Sequence, residues 1–148
     1  MTLPTAENFP VNLDRVMFSR MTVEAVQEFQ ASPNQDGPRR MTILPENAFS
    51  LTHGKEGDTS FIYASTRVVF NAARDPSAPY FFDFECHAKF LVREGISEDR
   101  ASAAATITGH SVTYGAIREA VAWMTGRFPY GPFLLGLSIL NPATEQQN

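Results

Sequence analysis

The stretch Tyr80 to Val92, YFFDFECHAKFLV, constrains the fold more than any other. Tyr80, Phe82, Phe84, Cys86, Ala88, Phe90 and Val92 alternate with Phe81, Asp83, Glu85, His87, Lys89 and Leu91. A period of two marks a β-strand with one face in a core and the other mostly wet. Such a strand needs neighbours along its edges and a cover over its apolar face. Neighbours are available: Val11, Leu13, Met17, Met21 and Val23 alternate with Asn12, Asp14, Arg20, Thr22 and Glu24, which predicts a long half-buried strand. Val16 and Phe18 break that pattern, as a β-bulge or burial of both faces at a subunit contact would. Asn47 to His53 reads as a short strand, His53 to Asp58 as a turn, and Thr59 to Asn71 as a strand with Ile62, Ala64, Val68 and Phe70 on one face. Arg74 to Pro79 holds two prolines and makes a second turn.

The cover is helical. Tyr114, Ile117, Val121 and Met124 recur at i, i+3, i+7 and i+10, an apolar stripe with Trp123 beside it. Ser111 can cap this helix, Gly126 can close it in the left-handed conformation, and Phe128-Pro129-Tyr130-Gly131-Pro132 cannot continue it. A separate short helix is expected from Ser97, with Glu98 and Asp99 in its first turn, to about Ile107 before Gly109. Strands followed by helices predict an α+β fold: a four-stranded antiparallel sheet with helices packed on one side. One domain over residues 1–148 suffices, with residues 1–10 and 141–148 as loose ends.

Composition narrows the chemistry. Acidic residues outnumber basic ones, 16 to 12, without a basic block, so no nucleic-acid partner is expected. No apolar run reaches membrane-span length and the first residues lack a secretory pattern, which predicts a cytoplasmic protein without a membrane partner. Cys86, the single cysteine, lies on the apolar face of its strand and reads as a small hydrophobe. His53, His87 and His110 have no metal-ligand spacing and are assigned surface roles. Gly54-Lys55 lacks the rest of a phosphate loop, and Asp83 with Glu85 reads as two solvated carboxylates on one strand face. No catalytic residue, metal or cofactor is expected.

Val26 to Pro45 mixes Phe29, Met41, Ile43 and Leu44 with Pro33, Gly37, Pro38 and Pro45. It is too long for a hairpin and too apolar for a solvated loop. Ile117-Arg118-Glu119, Thr125-Gly126-Arg127, Phe128-Pro129 and the leucine-rich segment after them resemble the C-terminal part of the SecB family of bacterial chaperones. The likeness is greatest to SecB-like members that serve toxin–antitoxin–chaperone modules. Met21-Thr22-Val23-Glu24-Ala25 is similar to the end of that family's first strand.

The resemblance implies an ATP-independent holding chaperone, assembled as a homotetramer (a dimer of dimers), whose partners are unfolded client polypeptides. It implies that Phe29, Met41, Ile43, Leu44 and Phe49 line a client groove. Glu24, Asp83 and Glu85 would form an acidic face for docking a partner, and Tyr114, Ile117, Val121, Trp123 and Met124 would pack the helix on the sheet or between dimers. Two dedicated partners are open, an antitoxin and the export translocase motor. Arg20, where export chaperones tend to carry an acid, and a chain stopping soon after Asn141-Pro142 favour the antitoxin. Twelve phenylalanines, among them Phe18, Phe29, Phe49, Phe61, Phe81 and Phe133, suggest more apolar surface than one small core consumes. The alternatives are an α+β binder of small hydrophobic ligands and a purely structural oligomer.

Overall fold

The structure, a computed structural model, describes residues 8–30 and 43–138. Four antiparallel strands, β1 (Val11–Ala25), β2 (Glu46–Glu56), β3 (Thr59–Phe70) and β4 (Tyr80–Val92), form one sheet in the order β1-β4-β3-β2. One helix, α1 (Glu98–Thr125), lies across it. The most strictly alternating segment is thus an inner strand, paired on both sides. β1 and β2 are opposite edges. Of the residues named in Val26 to Pro45, Pro33, Gly37, Pro38 and Met41 lie outside the described residues.

Two bulges explain why β1 resisted a period-two reading. Register shifts fall between Leu13 and Arg15 and between Phe18 and Arg20. Each adds one residue and inverts the alternation. Val11 and Leu13 stand opposite Val92 and Phe90, Val16 and Phe18 opposite Ala88 and Cys86, and Met21, Val23 and Ala25 opposite Phe84, Phe82 and Tyr80. Directly opposed residues share a face, so this whole apolar row points to the helix side and Met17 points away. Burial at a subunit contact is not needed to account for Val16 and Phe18.

The two helices expected from sequence are one. Ser97 caps α1, accepting from the Arg100 amide, and the helix then runs through Gly109 to Thr125. Gly109 does not end it, because glycine is required there by packing: a Cβ would stand 2.3 Å from Ala64 Cβ and 3.2 Å from the Phe90 ring. Nor is Gly126 left-handed. At φ −59° and ψ −18° it continues the right-handed turn, and the chain reverses at Gly131, where φ is +80°. β2 also extends beyond its expected end. Strand pairing runs to Glu56 opposite Thr59, leaving Gly57-Asp58 as the turn, with Gly57 at φ +60°.

Residues on α1 that face the sheet repeat every four positions: Ala101, Ala105, Gly109, Thr113, Ile117, Val121 and Thr125 are all buried. The small ones let the first half of the helix approach β3 and β4 closely. Two clusters result. One holds Val68, Phe70, Tyr80, Phe82, Phe84, Ile117, Val121, Phe133 and Leu135; the other holds Val11, Ile62, Ala64, Ala88, Phe90, Ala101 and Ala105. Between them the Thr66 and Thr113 hydroxyls, both buried, hydrogen-bond at 2.6 Å.

Three of the six phenylalanines named as spare pack within the chain. Phe133 packs on Phe70 and Phe82, Phe18 stands edge-on to Phe84, and Phe81 lies under the Arg74 guanidinium at 3.7 Å. The outer face of β4 is correspondingly drier than its polar residues suggested. Phe81, Asp83 and Lys89 are only 8%, 7% and 6% exposed, because long side chains from β1 and β3 lie across an inner strand. His110 also departs from its surface assignment. It is buried, stacked on Tyr114 with Phe49 edge-on to it, and burial pushes its pKa below the usual histidine value.

Candidate client-binding surfaces

After α1 the chain turns back and runs beside it in extended form. Thr125 closes this reversal, its Oγ1 donating to the Val121 carbonyl at 2.6 Å and accepting from the Phe133 amide at 2.7 Å. Tyr80 Oη donates to the Gly131 carbonyl at 2.7 Å and accepts from the Tyr130 amide at 3.0 Å. Further along, Tyr114 Oη donates to Gly136 O and Arg118 Nε to Leu135 O. Fixed in this way, the segment buries Phe133 and Leu135 and leaves Leu134 and Leu137 78% and 82% exposed. Between it and α1 lies an open groove of about 600 Å³ whose helical wall is Val112, Gly115, Ala116, Arg118, Glu119 and Ala122. Sequence reasoning placed no groove residue here. The run Phe133-Leu134-Leu135-Gly136-Leu137 has no polar alternation to show which of its residues turn inward.

The residues expected to line a groove divide into three. Ile43 and Leu44 stand together just before β2, on a concavity of about 300 Å³ completed by Val69, Asn71, Ala72 and Ala73. Ile43 leans on the first cluster, whereas Leu44 is 77% exposed. Phe29 lies elsewhere, edge-on to Tyr130 with centroids 5.0 Å apart, where Tyr130 Oη donates to the Val26 carbonyl. Phe49 faces the helix near His110. Of the helix residues, Tyr114, Ile117 and Val121 are buried and Met124 is half-buried against the first cluster. Trp123 points away from the sheet, 62% exposed, with the Arg127 guanidinium 3.7 Å over its ring. It falls on the outward line Ile107, Ser111, Gly115, Glu119, Trp123, opposite the buried stripe.

Each of the three outer-face acids has a partner. Glu24 accepts from Arg74 at 2.8 Å, and Glu85 accepts from Ser19 at 2.8 Å. Asp83 accepts from Arg67 Nε and Nη2 and from Arg20 Nη1. The Arg67 hydrogen bonds, outweighing the opposing effect of burial and joined by Arg20, hold the Asp83 carboxyl below the usual range. A lowered native pKa means that this stabilisation is fully present above the unfolded-state carboxylate pKa and is lost as pH falls through the native one. Asp83→Asn is therefore expected to lower the melting temperature at pH about 7 and to flatten its decline between about pH 5 and pH 2. Parallel melting curves for wild type and variant across that range would contradict the assignment.

No protein-family model matches the chain, and no curated protein sequence matches it. Solved structures do. The Mycobacterium tuberculosis SecB-like chaperone Rv1957, in complex with a ChAD peptide from the HigA1 antitoxin, is similar over 87% of this chain and 91% of its own, with TM-score 0.56 and 18% identity. The fold is SecB-like. A protein of unknown function from Streptococcus agalactiae overlaps over 86% of this chain and 97% of its own, at 10% identity and TM-score 0.49. Among the described residues β1 is one of two sheet edges, the other being β2. The helix-side row of β1 is incompletely covered, with Leu13, Val16 and Met21 at 49%, 39% and 46% exposed. No helix among the described residues is long and apolar enough to cross a membrane.

Proposed function

We propose that this protein is a holding chaperone that binds unfolded polypeptide on apolar surface without ATP. The observation that carries the reading is the placing of exposed leucines beside open concavities on a SecB-like frame, Leu44 just before β2 and Leu134 along α1, with exposed Leu137 three residues beyond. Burying one leucine side chain contributes about 1.5–3 kcal/mol and asks little of the client's sequence, which suits binding of many extended segments. Phe29, Met41, Ile43, Leu44 and Phe49 remain the proposed client contacts, and Leu134 and Leu137 join them. The homotetramer is also part of the proposal: β1 offers an unpaired edge with an apolar row, and the Ile107 to Trp123 line offers a helix face for a second contact.

A dedicated antitoxin is the preferred client. The Mycobacterium tuberculosis chaperone of like fold holds an antitoxin peptide. In this chain the charges of Glu24 and Asp83 are already paired with Arg74, Arg20 and Arg67, which reduces the negative charge available for docking a translocase motor.

Native mass spectrometry of the protein, alone and with an equimolar unfolded polypeptide, tests the reading. A tetramer that takes up the unfolded chain and ignores the folded form is expected. The double substitution Ile43→Ser with Leu44→Ser is expected to weaken uptake by tenfold or more, using about 1.5–3 kcal/mol per buried leucine, with the oligomer intact. A monomer that ignores both forms and takes up a small apolar ligand would replace the chaperone by the ligand binder. Unchanged affinity in the double variant would remove Ile43 and Leu44 from the contact surface.

A further inference from the structure

The sheet face opposite α1 carries a cluster for which the chaperone reading has no use. The second bulge of β1 leaves Ser19 between two register positions and brings its hydroxyl to Glu85 and His87. Ser19 Oγ donates to Glu85 Oε1 at 2.8 Å, so what it presents to His87 Nε2, 2.7 Å away, is a lone pair. Nε2 is then the protonated nitrogen and Nδ1 the acceptor. Ser65, directly opposite His87 across the β3–β4 pair, places its Oγ 2.6 Å from Nδ1. Glu85 Oε1 itself stands 3.2 Å from Nε2, where it can balance an imidazolium. A serine hydroxyl thus donates to an imidazole whose other nitrogen is held by a hydroxyl and a carboxylate, the relation of nucleophile, base and orienting acid that makes serine reactive.

Ser65, Arg67, Glu85 and His87 line a concavity of about 300 Å³ with Ala48, Phe49, Ser50 and Thr66. That volume admits a short acyl group. Pairing of β3 with both β2 and β4 occupies its strand amides, so Arg67, the one cation in this lining, is the group placed to face a developing oxyanion. Its Nε and Nη2 are already on Asp83. Lacking aligned oxyanion donors costs about 10²–10³ in rate at both acylation and deacylation, so turnover at such a site is slow, and the acyl adduct accumulates when the ester's good leaving group makes acylation the faster step.

We propose that Ser65 and His87 form an acyl-transfer site for small activated carboxylic esters, with Glu85 and Ser19 as positioning residues. Ser65 Oγ bonds to the ester carbonyl carbon while its proton passes to His87 Nδ1 and the carbonyl π pair moves to oxygen. Collapse restores the carbonyl and breaks the bond to the leaving oxygen, which takes the proton from Nδ1. Water then repeats the sequence on the acyl-serine, giving its proton to Nδ1, and that proton returns to Ser65 as the carboxylic acid leaves.

Full-length protein incubated with p-nitrophenyl acetate, followed by nitrophenolate release, intact mass and peptide mapping, tests this. One acetyl group per chain on Ser65 is expected. Ser65→Ala and His87→Gln should slow release by about a hundredfold, the usual worth of a positioned base, at unchanged circular dichroism. Ser19→Ala should slow acylation and Ser19→Thr, which keeps the hydroxyl, should restore it. Acetylation confined to lysines or the amino terminus of the wild type would overturn the proposal without needing any variant to fold, as would Ser65→Ala reacting at the wild-type rate. Phe49 is common to this concavity and to the proposed client contacts, and the two readings are separated by their readouts, acetylation of Ser65 here and uptake of unfolded polypeptide there.

Discussion

Phe82→Ala is expected to lower the unfolding free energy by about 3–5 kcal/mol, a large share of what a domain of this size has. Phe82 is fully buried on the inner strand β4 and meets three other rings. It stacks on Phe70 at 5.1 Å and 24°, and makes edge contacts with Phe84 at 6.0 Å and Phe133 at 5.4 Å. Phe70 and Phe84 are held by their strands and Phe133 by the Thr125 hydroxyl, so none can move far into the space that alanine leaves. Urea denaturation at fixed protein concentration is the measurement, with a lower midpoint and an unchanged slope expected. A loss below about 1 kcal/mol would mean that this layer collapses freely, unlike a core packed at native density.

Gly109→Ala carries the second large effect, and its sign runs against helix propensity. In a mid-helix position alanine should gain about 1 kcal/mol over glycine. Here the added methyl would sit 2.3 Å from Ala64 Cβ on β3, below any real carbon–carbon contact. Ala64 is fully buried in a paired strand and cannot retreat, so α1 has to lift off the sheet along its first half. Overpacking of this kind costs about 1–3 kcal/mol, which leaves the variant destabilised. The partner substitution Ala64→Gly should relieve the clash, making the double variant more stable than Gly109→Ala alone. A Gly109→Ala protein with a raised melting temperature would show that the helix sits farther from β3 than this packing requires.

The same glycine illustrates what could be read in advance. Its chemistry argues for a helix stop, and the chain was accordingly divided into two helices there. Whether a mid-helix glycine ends a helix or admits a neighbour depends on what faces it. Ala64 stands forty-five residues earlier in the chain. His110 followed the same logic: one histidine near a helix boundary reads as surface, and only the rings of Phe49 and Tyr114 bury it.

β1 shows the complementary case. Its sequence carried the two breaks, at Val16 and Phe18, and both are consequences of bulges. Period-two reasoning detects a phase change but cannot locate the extra residue, because which residue stays unpaired is chosen by β4. Asp83 and Glu85 share the outer face of β4, as their spacing requires, but Asp83 is buried where two solvated carboxylates are expected. Its arginine partners Arg20 and Arg67 come from the strands on either side of β4, so its neutralisation depends on strand order.

From its sequence alone this protein determined four strands, the inward rows of β3 and β4, an amphipathic helix over one face and the likeness to SecB chaperones, because periodicity and short motifs are local properties. Tertiary structure decided the continuity of α1, the groove beside Leu134 and Leu135, the absorption of Phe81 and Phe133, and the convergence of Ser19, Ser65, Glu85 and His87. Each of these depends on which distant residue arrives opposite, and strand order and register set that while local sequence does not.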